Sequence, residues 1–128
     1  MDSISDMLIR IKNAQQAGHE FVEMPSSKAK FELGKILKQN GYLESVEKKK
    51  VKNKERLVLK LKYEQESPAI RGLKRVSRPG CRIYMKNGQI RPIKQGYGLV
   101  IVSTSRGLMV GGEAKKNKLG GEIICEIW

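Results

Sequence analysis

The first half of the chain alternates between helical and extended hydrophobic patterns. Apolar residues at intervals of three and four predict a helix over residues 4–17, with Ser3 and Asp6 spaced as an approximate capping box and Gly18 as its stop. The segment EFVEMP then predicts a short strand that ends at Pro25. A helix followed by a strand is therefore expected at the start of the chain.

A second helix and a pair of strands complete the first half. Ser26 or Ser27 can serve as the N-cap of a helix that runs up to Gly41. Its buried stripe is predicted to consist of Ala29, Leu33, Ile36 and Leu37. YLESVEKKK and RLVLKLKYE predict two strands around a polar turn near residues 53–54. The lysine-rich run KKKVKNK at 48–54 is typical of a solvated hairpin tip.

In the second half the hydrophobic segments become shorter and are separated by glycine. Those with a strand pattern are AIRGLKRVS, CRIYMK, GLVIVST, GLMV and GEIICEIW. A single short helix fits residues 113–117. The chain is therefore predicted to have an α+β fold with two small subdomains, 1–66 and a mainly β subdomain, 67–128. The boundary between them is expected within residues 64–69.

The chain is strongly basic, and its charge is concentrated in the second half. Its 128 residues carry 26 Lys or Arg and 13 Asp or Glu, a net charge of +13. Residues 1–66 contribute +4 and residues 67–128 contribute +9, and no carboxylate occurs from Ser67 to Gly112. A surface that serves solubility alone mixes both signs, so this half indicates a polyanionic partner, with nucleic acid as the first candidate.

Three features bear on the cellular compartment. The longest apolar run is LVIV, which is too short to span a bilayer. The start, MDSISD, is acidic and lacks the organisation of a signal peptide. Cys81 and Cys125 are far apart and form no C-x-x-C motif, which indicates a reducing compartment. These features predict a cytoplasmic protein with no membrane partner.

The residue types needed for catalysis are scarce. His19 is the one histidine, and without a second histidine or clustered cysteines no zinc site is predicted. STSRG does not match a G-x-S-x-G nucleophile elbow, and Gly107 and Gly112 have the spacing of a phosphate loop in which Glu113 replaces the required lysine. The sequence therefore predicts no enzyme, no cofactor, no metal and no small-molecule substrate. The alternatives are an RNA-processing enzyme that uses Glu113, Glu122 or His19, and a binder of anionic membrane surfaces.

The segment STS at 103–105 has the features expected of an RNA-binding site. RNA helices expose ribose hydroxyls and phosphates across a shallow groove, which proteins contact with short polar groups. Ser103, Thr104 and Ser105 directly follow the apolar segment GLVIV, so a rigid sheet can present their hydroxyls. The alternative is an ordinary hairpin turn rich in Ser and Thr.

Neighbouring residues favour the RNA-binding interpretation. Gly120 and Gly121 permit a close approach of the backbone. Glu122 is expected to accept a hydrogen bond from a base amino group or to orient a neighbouring arginine. Tyr84 either stacks on a base or packs against its own sheet. Candidate phosphate contacts in the basic half are Arg75, Arg78, Arg106, Lys115, Lys116 and Lys118.

Several motifs together resemble the bacterial family of small-subunit ribosomal protein eight along essentially the whole chain. They are ISDMLIRIKNA, PSSKAK, ILKQNGYL, GLKRVSRPG, GLVIVSTSRGLM and GGEIICEIW. The resemblance implies two α+β subdomains in a layered helix/sheet/sheet/helix arrangement. It also implies a primary binder of small-subunit ribosomal RNA that docks on the central domain of that RNA and helps the platform assemble.

The resemblance further implies particular contacts and neighbours. The main RNA contacts fall on Ser103, Thr104, Ser105, Gly121 and Glu122, with Tyr84 as a further contact. A second RNA surface falls on Arg10, Lys12, Asn13, Ser27 and Lys28. Ribosomal proteins five and twelve of the same subunit are implied as neighbours, in a bacterial cytoplasm or in a plastid.

One segment departs from the family pattern. Relatives usually have Thr or Ser and then a charged residue ahead of the EA of the short helix, whereas this chain has Val110, Gly111 and Gly112. Because a polar N-cap is lost, the short helix is expected to start late or to fray.

Overall fold

In the computed structural model, which describes residues 3–90 and 98–128, the chain forms two compact units, Met1–Ile70 and Arg71–Trp128. The elements of the first unit are α1 (Ser3–Gln16), β1 (Phe21–Pro25), α2 (Lys28–Gln39), β2 (Leu43–Val51), β3 (Lys54–Leu61), β4 (Tyr63–Glu64) and β5 (Ser67–Pro68). The predicted order of helix, strand, helix, strand, strand is confirmed, and β4 and β5 follow it as a ribbon. Because β5 pairs back onto β4, this ribbon belongs to the first unit.

The first unit is built on an antiparallel sheet with the strand order β1-β3-β2. The alternation of side chains along β3 buries Leu57, Leu59 and Leu61. The apolar face that α1 buries consists of Ile4, Met7, Leu8, Ile11 and Ala14. Lys52 and Asn53 have positive φ angles and form the two-residue turn between β2 and β3, one residue earlier than predicted.

The start of α1 differs from the prediction because the helix already includes Ser3. Asp6, the second residue of the expected capping box, instead accepts a hydrogen bond from Arg10 Nε at 3.0 Å and lies 3.7 Å from Lys30 Nζ. Lys30 Nζ also donates to the Pro25 carbonyl oxygen at 3.1 Å. Asp6 therefore links α1 to the segment of chain that enters α2.

The start of α2 was predicted correctly, but its buried face is shifted. Ser27 is the N-cap, and its hydroxyl oxygen accepts a backbone N–H three residues on at 3.2 Å. Ala29 and Ile36 were predicted to be buried and are half-buried. The residues that α2 buries are Lys30, Leu33, Gly34 and Leu37. An added Cβ at Gly34 would lie 3.0 Å from Val46 Cγ1 of β2, so close packing of helix on sheet turns this glycine inward.

The second unit is mainly β. Its elements are β6 (Leu73–Arg75), β7 (Tyr84–Met85), a 3-10 turn (Asn87–Gln89), β8 (Leu99–Thr104), β9 (Gly107–Val110), α3 (Gly111–Lys116) and β10 (Gly121–Ile127). They form an antiparallel sheet with the order β6-β10-β8-β9, in which β7 also pairs with β10. The strands predicted in AIRGLKRVS and CRIYMK are shorter than expected, because β6 and β7 pair with β10 over three and two residues. The predicted α+β fold class is confirmed.

A bulge in β10 between Ile123 and Cys125 changes which side chains share a face. Ahead of the bulge, Ile123 lies opposite Val102, and both are buried. After it, Cys125 lies opposite Ile101, and both are fully buried. Burial raises the pKa of the Cys125 thiol to about 12. Cys125 is therefore a small core residue, whereas Cys81 is exposed.

The short helix α3 begins two residues earlier than predicted, at Gly111. Its N-cap, Val110, makes no side-chain capping hydrogen bond, but the helix does not start late. Packing explains this difference, because an added Cβ at Gly111 would lie 2.9 Å from Ile90 Cγ2, and Ala114 is fully buried in the same apolar cluster.

Within residues 3–90 and 98–128, no helix has the length and apolar content needed to cross a membrane.

The last residue of the chain packs onto the segment that enters β6. The Trp128 carbonyl oxygen accepts backbone N–H groups from Arg71 at 2.6 Å and from Gly72 at 3.0 Å. The Trp128 ring lies against Gly72, where an added Cβ would be 2.5 Å from ring atoms Cε2 and Cζ2. Trp128 therefore has a packing role.

Replacing Gly72 by alanine is expected to destabilise the second unit. The Gly72→Ala methyl group would overlap the Trp128 ring, so we expect the free energy of unfolding to fall by about 1–3 kcal/mol, the usual cost of overpacking. Gly112→Ala is the control, because nothing lies within 4 Å of a Cβ added in α3 and alanine favours a helix by up to about 1 kcal/mol. Urea denaturation measures both. Equal stability of the two variants would contradict this account.

Candidate nucleic-acid interface

Three strands of the second unit bring Ser103, Glu122 and Tyr84 into one row, which we call the polar row. Glu122 of β10 lies opposite Ser103 of β8 on one side and opposite Tyr84 of β7 on the other. Directly opposite residues of antiparallel strands project from the same face, with Cβ atoms about 4.5–5.5 Å apart. Tyr84 is 69% exposed, and Ser103 and Glu122 are half-buried. The row therefore presents a hydroxyl, a carboxylate and a phenol side by side.

Two glycines allow these strands to approach one another. An added Cβ at Gly121 would overlap the Ser103 carbonyl oxygen and lie 2.9 Å from the carbonyl carbon. An added Cβ at Gly120 would lie 2.6 Å from the Met85 carbonyl oxygen and 2.9 Å from Lys86 Cα. Contacts within the protein therefore account for both glycines, which were predicted to admit a close approach of RNA.

The carboxylate of the polar row is held by an arginine. Arg82 Nη1 donates to Glu122 Oε2 at 3.0 Å, with side-chain exposures of 48% for Arg82 and 16% for Glu122. Glu122 thus orients a neighbouring arginine, one of its two predicted roles. Arg82 was not among the predicted site residues because it lies 40 positions from Glu122. The available signal was the isolation of Glu122 in a cationic half, which called for a nearby cation.

The turn between β8 and β9 divides the STS segment into a structural part and an open part. Thr104 Oγ1 donates to the Gly107 carbonyl oxygen at 2.9 Å and accepts the Arg106 backbone N–H at 3.1 Å. Gly107 has a φ of 105°, which favours glycine. The hydroxyls of Ser103 and Ser105 have no hydrogen-bond partner in the part of the chain that the structure describes. The hairpin-turn interpretation therefore fits Thr104, and the two serines are open to a ligand.

A groove of about 590 Å³ runs beside Tyr84. Its walls include Met85, Lys86, Gln89 and Gly121. Packing against its own sheet, one of the two predicted roles of Tyr84, leaves the ring largely uncovered. An exposed aromatic ring next to such a groove can stack on a planar group.

Two predicted phosphate contacts, Arg75 and Arg78, have different environments. Arg75 is half-buried, and its Nη1 donates to the Ile124 carbonyl oxygen at 2.7 Å, at the bulge of β10. Arg78 is exposed and begins a tight turn that is closed by two backbone hydrogen bonds with Cys81, at 3.0 and 2.9 Å. The guanidinium of Arg75 therefore supports β10, and Arg78 is the more accessible of the two.

A buried serine that the sequence did not reveal fastens the loop between Ser77 and Ile83. Ser77 is fully buried, and its hydroxyl accepts the Ile83 backbone N–H at 2.8 Å and donates to the Ile83 carbonyl oxygen at 3.2 Å. This clasp closes the base of the loop that carries Arg82. It therefore supports the position of the Arg82 guanidinium next to Glu122.

The second unit carries several exposed cations. The exposed ones that follow β8 in the chain are Arg106, Lys115, Lys116 and Lys118. Arg91 and Lys94, which belong to the carboxylate-free stretch, lie outside the described residues. The second unit therefore combines a few fixed polar groups with an exposed positive charge.

The five residues predicted as a second RNA surface lie in the first unit. Arg10 is tied to Asp6, and its Nη1 donates to the Glu23 carbonyl oxygen at 3.4 Å. Ser27 serves as the cap of α2 through its hydroxyl oxygen. The remaining three are exposed and are Lys12, Asn13 and Lys28. Two of the five therefore have structural contacts, and three present open side chains.

Comparison with known proteins adds a family to this geometry. Residues 2–128 match the family model described as Ribosomal protein S8. The chain is 49% identical over 129 residues to small ribosomal subunit protein uS8 of Mycoplasmopsis synoviae, which covers 99% of this chain and 97% of that protein. It is 49% identical over 127 residues to uS8 of Nitratidesulfovibrio vulgaris (99% and 98% covered) and 44% identical over 128 residues to uS8 of Leptospira biflexa (99% and 97% covered).

Matches over nearly the whole chain, on an α+β fold with a basic second unit, define the class of the protein as ribosomal. Within that class the chain belongs to the ribosomal protein S8 family. The resemblance seen in its motifs is thereby confirmed.

Removal of the Thr104 hydroxyl is expected to weaken the β8–β9 turn. Thr104→Val loses one donated and one accepted hydrogen bond, each worth about 1 kcal/mol, so we expect the free energy of unfolding to fall by about 1–2 kcal/mol. Ser105→Ala is the matched control, because its hydroxyl bonds nothing in the described part of the chain, and it should change stability by less than about 0.5 kcal/mol. Thermal and urea unfolding compare them. A Thr104→Val variant as stable as Ser105→Ala would refute the structural role of Thr104.

Proposed function

We propose that this protein is a non-catalytic structural constituent of the small ribosomal subunit that binds the ribosomal RNA of that subunit through the polar row and the β8–β9 turn. The observation that carries the proposal is that the hydroxyls of Ser103, near the end of β8, and Ser105, in the turn that follows, have no partner among the described residues and lie beside Glu122 and an exposed Tyr84. The names of the relatives, each a small ribosomal subunit protein, supply the identity of the subunit.

The polar groups and the cations have separate tasks in this proposal. The hydroxyls of Ser103 and Ser105 donate to phosphate oxygens, and they donate to or accept from the ribose hydroxyls that an RNA helix exposes in its shallow groove. Glu122 keeps its hydrogen bond with Arg82 and uses further lone pairs of its carboxylate for a base amino group. Tyr84 stacks on a base in the adjoining groove. Arg106 and the lysines of 115–118 neutralise phosphates and provide most of the salt-dependent affinity.

The finer assignments rest on the family resemblance. We infer that the protein docks on the central domain of the small-subunit RNA, helps the platform assemble and neighbours ribosomal proteins five and twelve. In the first unit, Lys12, Asn13 and Lys28 offer open side chains for a second RNA contact. The relatives named above are bacterial proteins, which favours a bacterial ribosome in the cytoplasm over the plastid alternative.

Two substitutions in the turn separate hydroxyl recognition from charge attraction. Ser105→Ala is expected to raise the Kd for small-subunit ribosomal RNA about 3- to 10-fold, because it removes one or two direct hydrogen bonds, and to leave the salt dependence nearly unchanged. Arg106→Ala is expected to lower the slope of log K against log salt concentration by about one unit, because it removes one phosphate contact. Filter binding at several salt concentrations measures both quantities.

An unrelated RNA duplex of equal length serves as the control ligand. Loss of the Ser105 hydroxyl should change the affinity for this control duplex little. Loss of the Arg106 charge should weaken binding to both RNAs equally. Wild-type affinity of the Ser105→Ala variant for the ribosomal RNA, or equal wild-type affinity for both RNAs, would overturn the proposed recognition.

A further inference from the structure

The lysine-rich run at the end of the β2–β3 hairpin is divided by the sheet into two different faces. β2 and β3 pair without interruption up to their turn, so Lys48 lies opposite Leu57, Lys49 opposite Arg56, and Lys50 opposite Glu55. Successive side chains of a strand point to opposite faces of a sheet. The run KKKVKNK, which was predicted to be a solvated hairpin tip, therefore contributes alternate lysines to the two faces.

On the face that α2 covers, the charges have partners. Lys48 Nζ lies 4.3 Å from the centroid of the Phe31 ring, and Lys35 Nζ lies 4.9 Å from the same centroid. Lys50 lies directly opposite Glu55, a pair of opposite sign across the two strands. The lysines of this face are therefore explained by contacts within the protein.

The opposite face carries three cations, Lys49, Lys54 and Arg56, which we call the hairpin patch. Lys49 and Arg56 lie directly across from each other. Lys54 lies two positions before Arg56 on β3 and opposite Val51. Among residues 3–90 and 98–128, no carboxylate or aromatic ring contacts their side chains. Like charges directly opposite each other destabilise a sheet, so folding alone does not explain this arrangement.

The hairpin patch stands on a rigid support. Arg56 belongs to the central strand of the sheet and is flanked by Lys49 of β2 and Pro25 of β1. The two-residue turn at Lys52 and Asn53 closes the hairpin directly at its end. The three cations are therefore held near fixed positions, as a ligand with evenly spaced charges requires.

An acidic row limits the patch on the same face. Glu23 of β1 and Glu47 of β2 both lie opposite Val58 of β3. Val58 is two residues further from the hairpin end than Arg56. These carboxylates would repel an anion that extended beyond the patch. A polyanion is therefore confined to the end of the hairpin.

We propose that the hairpin patch of Lys49, Lys54 and Arg56 binds the phosphate backbone of RNA, as a contact of the first unit separate from the polar row. The proposal rests on the ribosomal RNA binding proposed above. Val51, 41% exposed, lies opposite Lys54 on this face, and Phe21, 51% exposed, lies beyond the acidic row with Lys60 Nζ 6.0 Å from the centroid of its ring. Protein interfaces are instead centred on buried aromatic or aliphatic anchors. Three cations that have no partner among the described residues, and that the acidic row separates from Phe21, fit a phosphate backbone better than a protein surface.

Two triple variants of the full-length protein test this proposal, and each removes three positive charges. The patch variant is Lys49→Gln, Lys54→Gln and Arg56→Gln. The control variant, on the α2-covered face and on α2 itself, is Lys35→Gln, Lys48→Gln and Lys50→Gln. Binding to small-subunit ribosomal RNA and to an unrelated RNA duplex is measured over a range of salt concentrations.

We expect the patch variant to lower the slope of log K against log salt concentration by about three units for both RNAs, one unit for each lost phosphate contact. The control variant should lower it by less than one unit. At low salt the patch variant should unfold at the same temperature as the wild type or higher, since it relieves like-charge repulsion. The control variant should unfold at a lower temperature, since it loses its ring contacts and its opposite-sign pair.

Equal slopes for the two triple variants would overturn the proposal. If the patch variant also failed to enter reconstituted small subunits while its RNA slope stayed equal to that of the control, the patch would contact a protein instead. The Ser105→Ala variant keeps the two proposals distinguishable. If Ser105→Ala loses affinity for ribosomal RNA while the two triple variants have equal slopes, the polar row binds RNA and the hairpin patch does not. If Ser105→Ala binds like the wild type while the patch variant has the lower slope, the hairpin patch binds RNA and the proposed recognition by the polar row is wrong.

Discussion

The close approach of β10 to the strands on either side of it is the constraint on which the candidate interface depends. At Gly121 no side chain fits, because a Cβ would overlap the Ser103 carbonyl oxygen, and at Gly120 a Cβ would lie 2.6 Å from the Met85 carbonyl oxygen of β7. This approach sets the register that places Glu122 between Ser103 and Tyr84. The bulge that follows turns Cys125 into the core, so a single strand carries polar recognition groups at one end and buried apolar residues at the other. The polar groups are thus fixed by the packing of the sheet.

In the proposed function, attraction and recognition are carried by different residues. The cations are numerous, mostly exposed and unevenly distributed, which suits long-range attraction to a polyanion. The recognition groups are few and anchored: Glu122 by Arg82, the Arg82 loop by the Ser77 clasp, and the serine turn by Thr104. Sheet alternation extends this division to the first unit, where one set of hairpin lysines has partners inside the protein and the other has none among the described residues.

Local signals in the sequence predicted what depends on neighbouring residues. Helical periodicity located α1 and α2, the serine before α2 identified its cap, and the apolar run ahead of STS placed the turn at the end of a strand. These local signals could not predict contacts between distant segments of the chain. Arg82 and Glu122 are 40 residues apart, the burial of Lys30 depends on Asp6 in another helix, and the early start of α3 depends on Ile90. The separate faces of the lysine run also required a strand register that no local pattern specifies.

The central claim is that serine hydroxyls at the end of β8 and in the β8–β9 turn meet folded RNA directly. An electron cryomicroscopy map of the small subunit that contains this protein, at a resolution that defines side chains, tests it most directly. The account predicts that the Oγ atoms of Ser103 and Ser105 lie within about 3.2 Å of ribose or phosphate oxygens or base atoms, with Glu122 still bonded to Arg82. A map in which these hydroxyls face solvent or another protein, with RNA elsewhere on the surface, would contradict it.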